Sequence, residues 1–205
     1  MKDRFSFETT LYNRGVALVV GVDEVGRGPL AGPVVAAAVG FKKNINSSWW
    51  SEIRDSKKVS EKNRSLLAKY ILDNGICGIG MASVEEIENL NILQASLLAM
   101  KRAVERFSGR ESGVLHLAVD GKFIIPDLQV EQTAVVKGDD LIHSIAAASI
   151  LAKVVRDDLM KQLDDEFPQY GFSKHKGYGT KVHIEAIRKY GLSPVHRVSF
   201  CGNIV

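Results

Sequence analysis

The chain has 205 residues, with 27 Lys and Arg against 24 Asp and Glu for a formal charge of +3; 45% of it is hydrophobic and 25% charged. That balance belongs to a folded globular chain and excludes a disordered tail, and the length allows one sizeable core with a small annex. The slight positive charge permits a nucleic-acid partner without demanding one, and no stretch approaches the roughly 20 apolar residues of a membrane-spanning helix.

Met1 to Thr10 mixes charges with phenylalanine and lacks an apolar signal core, so a cytoplasmic location is expected. Val16 to Val22 is a continuous Val-rich run of buried-strand length that ends at Asp23-Glu24. Gly26 to Pro33 has the composition of a turn, and Val34 to Phe41 resumes a second strand. Asn44 to Lys58 is a polar surface excursion whose Trp49 and Trp50 either stack bases or cover the sheet edge. Ser60 then caps a helix with an apolar face of Leu66, Leu67, Tyr70 and Ile71. Ile76 to Ala82 is a third strand, its glycines allowing close neighbours. It contains Cys77; with Cys201 this makes two thiols and no CxxC, which argues against a disulfide scaffold. Leu93, Leu97, Met100, Ala103, Val104 and Phe107 have helical spacing across Asn91 to Phe107.

Val114 to Val119 is a fourth strand closing at Asp120-Gly121-Lys122, and Thr133 to Val136 a fifth closing at Lys137-Gly138-Asp139. A long helix is expected from Asp140 to about Leu163, with Ala146, Ala147, Ala148 and Ser149 small enough to pack tightly on a sheet. Phe167 to Val205 is richer in Gly, His and Lys and holds a short helix near Lys181 to Tyr190. The order β-β-α-β-α-β-α-β-α predicts an α/β protein around one mixed five-stranded sheet flanked by helices. One domain over 1–205 is expected, its core at about 16–165 and a small C-terminal helical segment at about 166–205. No oligomerisation stripe is evident, so a monomer is expected.

The acids fall in a pattern. Three expected strands each end in an acidic residue close to glycine: Asp23-Glu24 before Gly26, Asp120 before Gly121, and Asp139 after Gly138. Sites in open α/β sheets collect at strand ends. Carboxylates gathered in one crevice repel one another and need cations to stay ionised together. Hard oxygen ligands with no His or Cys cluster point to Mg²⁺ or Mn²⁺, and two such ions suit in-line phosphoryl transfer. Singly, Asp120 and Asp139 are better explained as turn and capping residues than as catalytic ones. Asp23-Glu24 is harder to explain so, because adjacent charges at the end of a buried strand are costly without a partner. Neighbours on a regular strand point to opposite faces, so both can serve one site only if the strand bends or bulges there. Gly26-Arg27-Gly28 allows close backbone approach around a cation suited to phosphate, or is simply a turn. The chain has no GxGxxG, P-loop or HExxH.

Together these segments resemble ribonuclease HII, the type 2 ribonuclease H family. Asp23-Glu24-Val25-Gly26-Arg27-Gly28-Pro29-Leu30-Ala31-Gly32-Pro33-Val34-Val35 is similar to that family's signature almost letter for letter. Asp55-Ser56-Lys57-Lys58, Asp120-Gly121, Lys137-Gly138-Asp139 with Ala146 to Lys153, His175-Lys176-Gly177-Tyr178-Gly179-Thr180 and His196-Arg197-Val198-Ser199-Phe200 follow in order. The resemblance implies an RNase H-like fold and endonucleolytic cleavage of RNA in RNA–DNA hybrids. Single ribonucleotides in duplex DNA are included, cut on their 5′ side to leave 3′-hydroxyl and 5′-phosphate ends. It implies that Asp23, Glu24, Asp120 and Asp139 hold Mn²⁺ or Mg²⁺. It further implies that Gly26, Arg27 and Gly28 sense the 2′-hydroxyl and that Tyr178 stacks beneath the sugar at the RNA–DNA junction. By itself Tyr178 is an aromatic in a basic setting, or the packing of a helical annex. The sister family, ribonuclease HIII, carries an N-terminal substrate-binding domain, for which the roughly fifteen residues before the first expected strand leave no room. Val59 stands where that family usually has leucine.

Lys57, Lys58, Lys137, Lys153, Lys176 and Arg197 are candidates for phosphate contacts; the resemblance lifts only Lys57 and Arg197 above solvated surface charges. Asp157 is expected to pair with a neighbouring cation, and His143 to pack rather than shuttle protons. A replication-machinery partner is left open. A non-catalytic hybrid-binding module would be expected to have lost a carboxylate. A small phosphatase would not need the basic, tyrosine-bearing C-terminal segment.

Overall fold

The computed structural model describes residues 5–42, 48–109, 113 and 115–204. The expected starts of the polar excursion at Asn44 and of the fourth strand at Val114 lie outside the described residues. Five strands, β1 (Leu18–Val25), β2 (Val34–Gly40), β3 (Ile76–Ala82), β4 (Leu115–Asp120) and β5 (Glu131–Val135), form one sheet in the order β3-β2-β1-β4-β5. β2 runs antiparallel to β1 and β3, whereas β1, β4 and β5 are mutually parallel neighbours. All of β2 and most of β1 are buried on both faces, which is why they read as unbroken apolar runs rather than as alternating patterns.

Two corrections concern strand ends and crossings. β1 does not stop at Val22 but continues to Val25, so Asp23 and Glu24 lie inside the strand, paired with Ala37 and Ala36. No helix separates β4 from β5. Residues 121–130 make that parallel crossing as a loop, pinned where Gln132 accepts from the Ile125 N–H (2.9 Å) and donates to the Ile125 carbonyl (2.8 Å). Ten residues can reach about 33 Å, enough to return along a six-residue strand without a helix.

Helices cover both faces. On one, α3 (Val84–Leu90) and α4 (Ile92–Glu105) pack against Val20, Val22, Ala36 and Ala38. On the other, α2 (Glu61–Asn74) and α6 (His143–Glu166) enclose Ala37, Val39 and the Ala146–Ala148 run. The approach of α6 is close enough that a β-carbon at Gly21 would stand 2.0 Å from the Ser144 carbonyl carbon. The long helix expected from Asp140 is two elements, a single turn α5 (Gly138–Leu141) and α6, separated at Ile142, whose φ of −123° and ψ of 129° are extended. That break lets Glu8 of α1 (Ser6–Asn13) accept from the Ser144 N–H (3.0 Å) and hydroxyl (3.1 Å), satisfying one free amide at the start of α6.

The C-terminal segment carries α7 (Phe172–His175), α8 (Lys181–Tyr190) and α9 (Val198–Cys201). Phe172, Ile187 and Cys201 close a cluster around Met160 of α6 and Ala31 of the β1–β2 loop. Two wholly buried arginines fasten it. Arg156 of α6 donates to the carbonyls of Ala31, Pro33 and Lys176, at 3.0–3.1 Å. Trp49 and Trp50, in a 3-10 turn over Ser48–Glu52, belong to the core rather than to a base-stacking surface. Trp49 is buried beside Tyr70, and Trp50 packs edge-on against Phe41. His143 is buried among Phe5, Trp50 and Phe41, as a packing residue.

Candidate active site

Asp23, Glu24 and Asp120 converge, one carboxylate oxygen from each lying within 4.8 Å of the others. No bulge brings Asp23 and Glu24 together; their pairing with β2 is uninterrupted through Val25. The ladder to β4 stops at Val22–Val119, so beyond it β1 has an open flank, and both side chains reach Asp120, the last residue of β4, across that flank. Backbone geometry holds the cluster. The Glu24 N–H donates to Asp23 Oδ1 (2.7 Å), and the Gly138 N–H donates to Asp120 Oδ1 (2.7 Å). Ser149 of α6, bonded to Ser56 (3.0 Å), also reaches Asp23, which ties the Asp55–Lys58 segment to the site.

Burial and mutual repulsion set the charge state. Asp23 is pushed well above the usual carboxylate range by desolvation, then by Glu24 and Asp120. Desolvation lifts Glu24 to about 7 against the opposing pull of Arg27, whose guanidinium stands 3.3 Å from Oε1. Asp120 is raised by burial, partly offset by the backbone N–H groups of Gly138, Asp139 and Gly121. Asp139, at the start of α5, does not belong to the converging triple. Burial and then Asp120 raise its carboxyl, so it stands near enough to feel the cluster's charge. Lys57 is exposed and acts on both Asp120 and Asp139 as a nearby positive charge. Glu24 Oε2 is buried with no hydrogen-bond partner. An orphaned carboxylate oxygen amid hard anionic ligands fits a divalent cation of the Mg²⁺ or Mn²⁺ kind.

Beside the acids runs the Gly26–Pro33 loop. Gly26 has a φ of +104°, and a β-carbon there would stand 2.3 Å from Arg156 Nε, so only glycine fits. Arg197 is the main departure from expectation. It is 0% exposed and cannot meet a phosphate. Its guanidinium donates to the carbonyls of Gly26 (2.6 Å), Arg27 (3.1 Å) and Gly32 (2.7 and 3.0 Å), so it braces the loop from behind. Burying a guanidinium is tolerable only with its donors satisfied, which these carbonyls achieve. Tyr178 is 42% exposed, and its ring comes within 3.8 Å of where a Gly28 β-carbon would be. Among the other candidates, Lys153 pairs with Asp157 as expected of that aspartate, and Lys58 pairs with Asp140. Lys176 donates to the Ser173 carbonyl. Sequence reasoning missed Arg156, the second brace of the loop; an arginine carries no local signal of which carbonyls it will meet.

A mixed sheet in this strand order with helices on both faces defines a ribonuclease H-like fold, and its converging carboxylates suit a divalent cation. The family model for ribonuclease HII matches residues 20–203, and the chain belongs to that family. It is 48% identical to a ribonuclease HII of Clostridioides difficile (strain 630) over 200 residues, covering 97% of this chain and 76% of that one. It is 46% identical to one of Acetivibrio thermocellus, covering 97% and 75%. The fold is similar to that of the ribonuclease HII in the PCNA complex from Archaeoglobus fulgidus, with a TM-score of 0.71, 23% identity, and coverage of 91% of this chain and 96% of that one. It is also similar to Bst-RNase HIII in complex with Mn²⁺, with a TM-score of 0.64, 18% identity, and coverage of 85% and 63%. The chain is therefore a divalent-metal-dependent ribonuclease H acting on RNA–DNA substrates.

Proposed function

We propose that the protein nicks duplex DNA on the 5′ side of single embedded ribonucleotides, besides cleaving the RNA strand of longer hybrids, and leaves 3′-hydroxyl and 5′-phosphate ends. The observation that carries this reading is the adjacency of the converging Asp23–Glu24–Asp120 carboxylates to a loop whose carbonyls are held from behind by Arg156 and Arg197. Asp23, Glu24, Asp120 and Asp139 would hold two divalent ions, which supply charge neutralisation and an activated water for phosphodiester hydrolysis. Gly26, Arg27 and Gly28 present backbone groups to the 2′-hydroxyl, the atom that separates RNA from DNA. Tyr178 offers its exposed ring to the sugar at the junction, and Lys57 offers a cation to a phosphate near the acids. The whole chain acts as one catalytic unit, its C-terminal helices part of the substrate surface, and it works as a cytoplasmic monomer. The Mn²⁺ in the Bst-RNase HIII structure supports Mn²⁺ as the first ion to test. The PCNA complex of the Archaeoglobus fulgidus protein supports a place beside the replication machinery, in ribonucleotide repair.

Incubation with Mn²⁺ and a DNA duplex containing one ribonucleotide tests the reading. A single nick 5′ of the ribonucleotide is expected. Asp120→Asn should lower turnover by at least a hundredfold while leaving duplex binding and thermal unfolding nearly unchanged. Retention of the duplex without cutting, or full turnover in Asp120→Asn, would refute it.

A further inference from the structure

The C-terminal segment contains three histidines that the chemistry above does not use. His183 of α8 and His196 are 0% and 2% exposed, and their Nε2 atoms lie 3.0 Å apart. His183 Nδ1 lies 2.9 Å from the Tyr178 carbonyl oxygen, and His196 Nδ1 lies 2.9 Å from the Ser193 nitrogen. A carbonyl only accepts and a backbone N–H only donates, so one pair of tautomers satisfies all three contacts. Ser193 N–H donates to His196 Nδ1, His196 Nε2–H donates to His183 Nε2, and His183 Nδ1–H donates to Tyr178. In that arrangement both rings are neutral; a proton added to His183 Nε2 would set donor against donor, and one added to His196 Nδ1 would oppose the Ser193 N–H and leave only the Ser193 hydroxyl, 2.7 Å away, to accept it.

The two ends of this relay are the two parts of the proposed substrate surface. Tyr178 is at one end. At the other, the His196 backbone bridges Ala31, and the next residue is Arg197, the brace of the Gly26–Gly32 carbonyls. We infer that His183 and His196 are positioning residues: the neutral pair fixes Tyr178 against the Gly26–Gly32 loop so that ring and loop meet one sugar in a single geometry. This rests on the reading of Tyr178 as a substrate contact. The surroundings favour neutrality. The groups packed on the pair are Tyr170, Phe172, Ser193 and His175, the last stacked on His183 at 4.4 Å, and none of these is acidic. Burial lowers the affinity of His183 for a proton and brings His196 down to about 4.

Steady-state nicking of a duplex with one ribonucleotide separates the relay from the reading beneath it. Tyr178→Ala is expected to lower kcat/KM on the order of tenfold, as loss of one stacked aromatic does. His183→Leu, which cuts the relay, should produce a similar loss carried mainly by KM. His183→Asn, whose amide can replace the Nδ1–H donor, should recover most of it. His183→Leu should add nothing in a Tyr178→Ala background. Full activity in His183→Leu, or losses that multiply in the double variant, would overturn the relay while leaving Tyr178 in the site. Unchanged nicking by Tyr178→Ala would overturn the Tyr178 reading instead. Nitrogen-15 NMR of the imidazoles in the native chain decides the geometry independently of variant folding. His183 protonated on Nδ1 and His196 on Nε2, both neutral at neutral pH, is the expected pattern; the opposite tautomers or a charged ring would sink the proposal.

Discussion

Glu24→Gln should stabilise the metal-free protein at alkaline pH even as it removes one of the carboxylates proposed to hold metal. Desolvation raises Glu24 from 4.5 to about 7, with Asp120 adding to the rise. The folded carboxyl therefore keeps its proton where the unfolded one has lost it. Between those two pH values the unfolded state binds fewer protons, and stability falls as pH rises through the window. At about 1.4 kcal/mol per tenfold change in proton affinity, the fully ionised carboxylate costs the fold about 3 kcal/mol. Glutamine keeps the shape without the charge; losing the Arg27 contact trims the gain only slightly, because that arginine is half exposed. Urea denaturation in excess chelator, repeated from pH 5 to pH 8, measures the difference directly. The variant should gain on the wild type by about 2–3 kcal/mol across that range, since the unfolded carboxyl is already largely ionised at pH 5, and this is several degrees in Tm for a chain of this size. If the acid cluster holds Mn²⁺ as proposed, added Mn²⁺ should reverse the order, because the intact cluster then binds the ion in the folded state. A stability difference that stays flat with pH, or one in which the wild type gains as pH rises, would refute the reasoning.

Arg197→Met removes the brace and leaves the Gly26, Arg27 and Gly32 carbonyls short of donors. Thermal or urea unfolding should show a loss of about 3–5 kcal/mol, and a loss under about 1 kcal/mol would contradict the described network. Gly21→Ala places a methyl group 2.0 Å from the Ser144 carbonyl carbon; neither β1 nor α6 can yield freely, so a cost of at least about 3 kcal/mol or insoluble expression is expected, and near-native stability would contradict the contact.

The elements legible in the sequence were those with a local cause. β3 begins and ends where its apolar run does, β2 begins at Val34 as expected and stops at Gly40, one residue short of Phe41, and Ser60 caps α2 by accepting from the Asn63 N–H. The Ser83–Glu86 capping box of α3 is an equally local signal, whereas the short α1, with no side-chain cap, has none. The acids that converge were also legible, because carboxylates that interrupt or close a buried apolar run need an explanation that burial alone cannot give.

Tertiary structure decided how those acids meet. Asp23 and Glu24 sit in a regular strand, and only the early end of the β4 ladder lets them share one site with Asp120. It also decided the arginines. Arg197 looks in sequence like any basic residue near a substrate, yet its partners are carbonyls about 170 residues away along the chain. Local pattern reports which residues are apolar, which cap and which carry charge, since those depend on neighbours in the chain. Which charges end up together, and whether an arginine faces a phosphate or its own backbone, depends on contacts that exist only once the sheet and its two helical layers have closed.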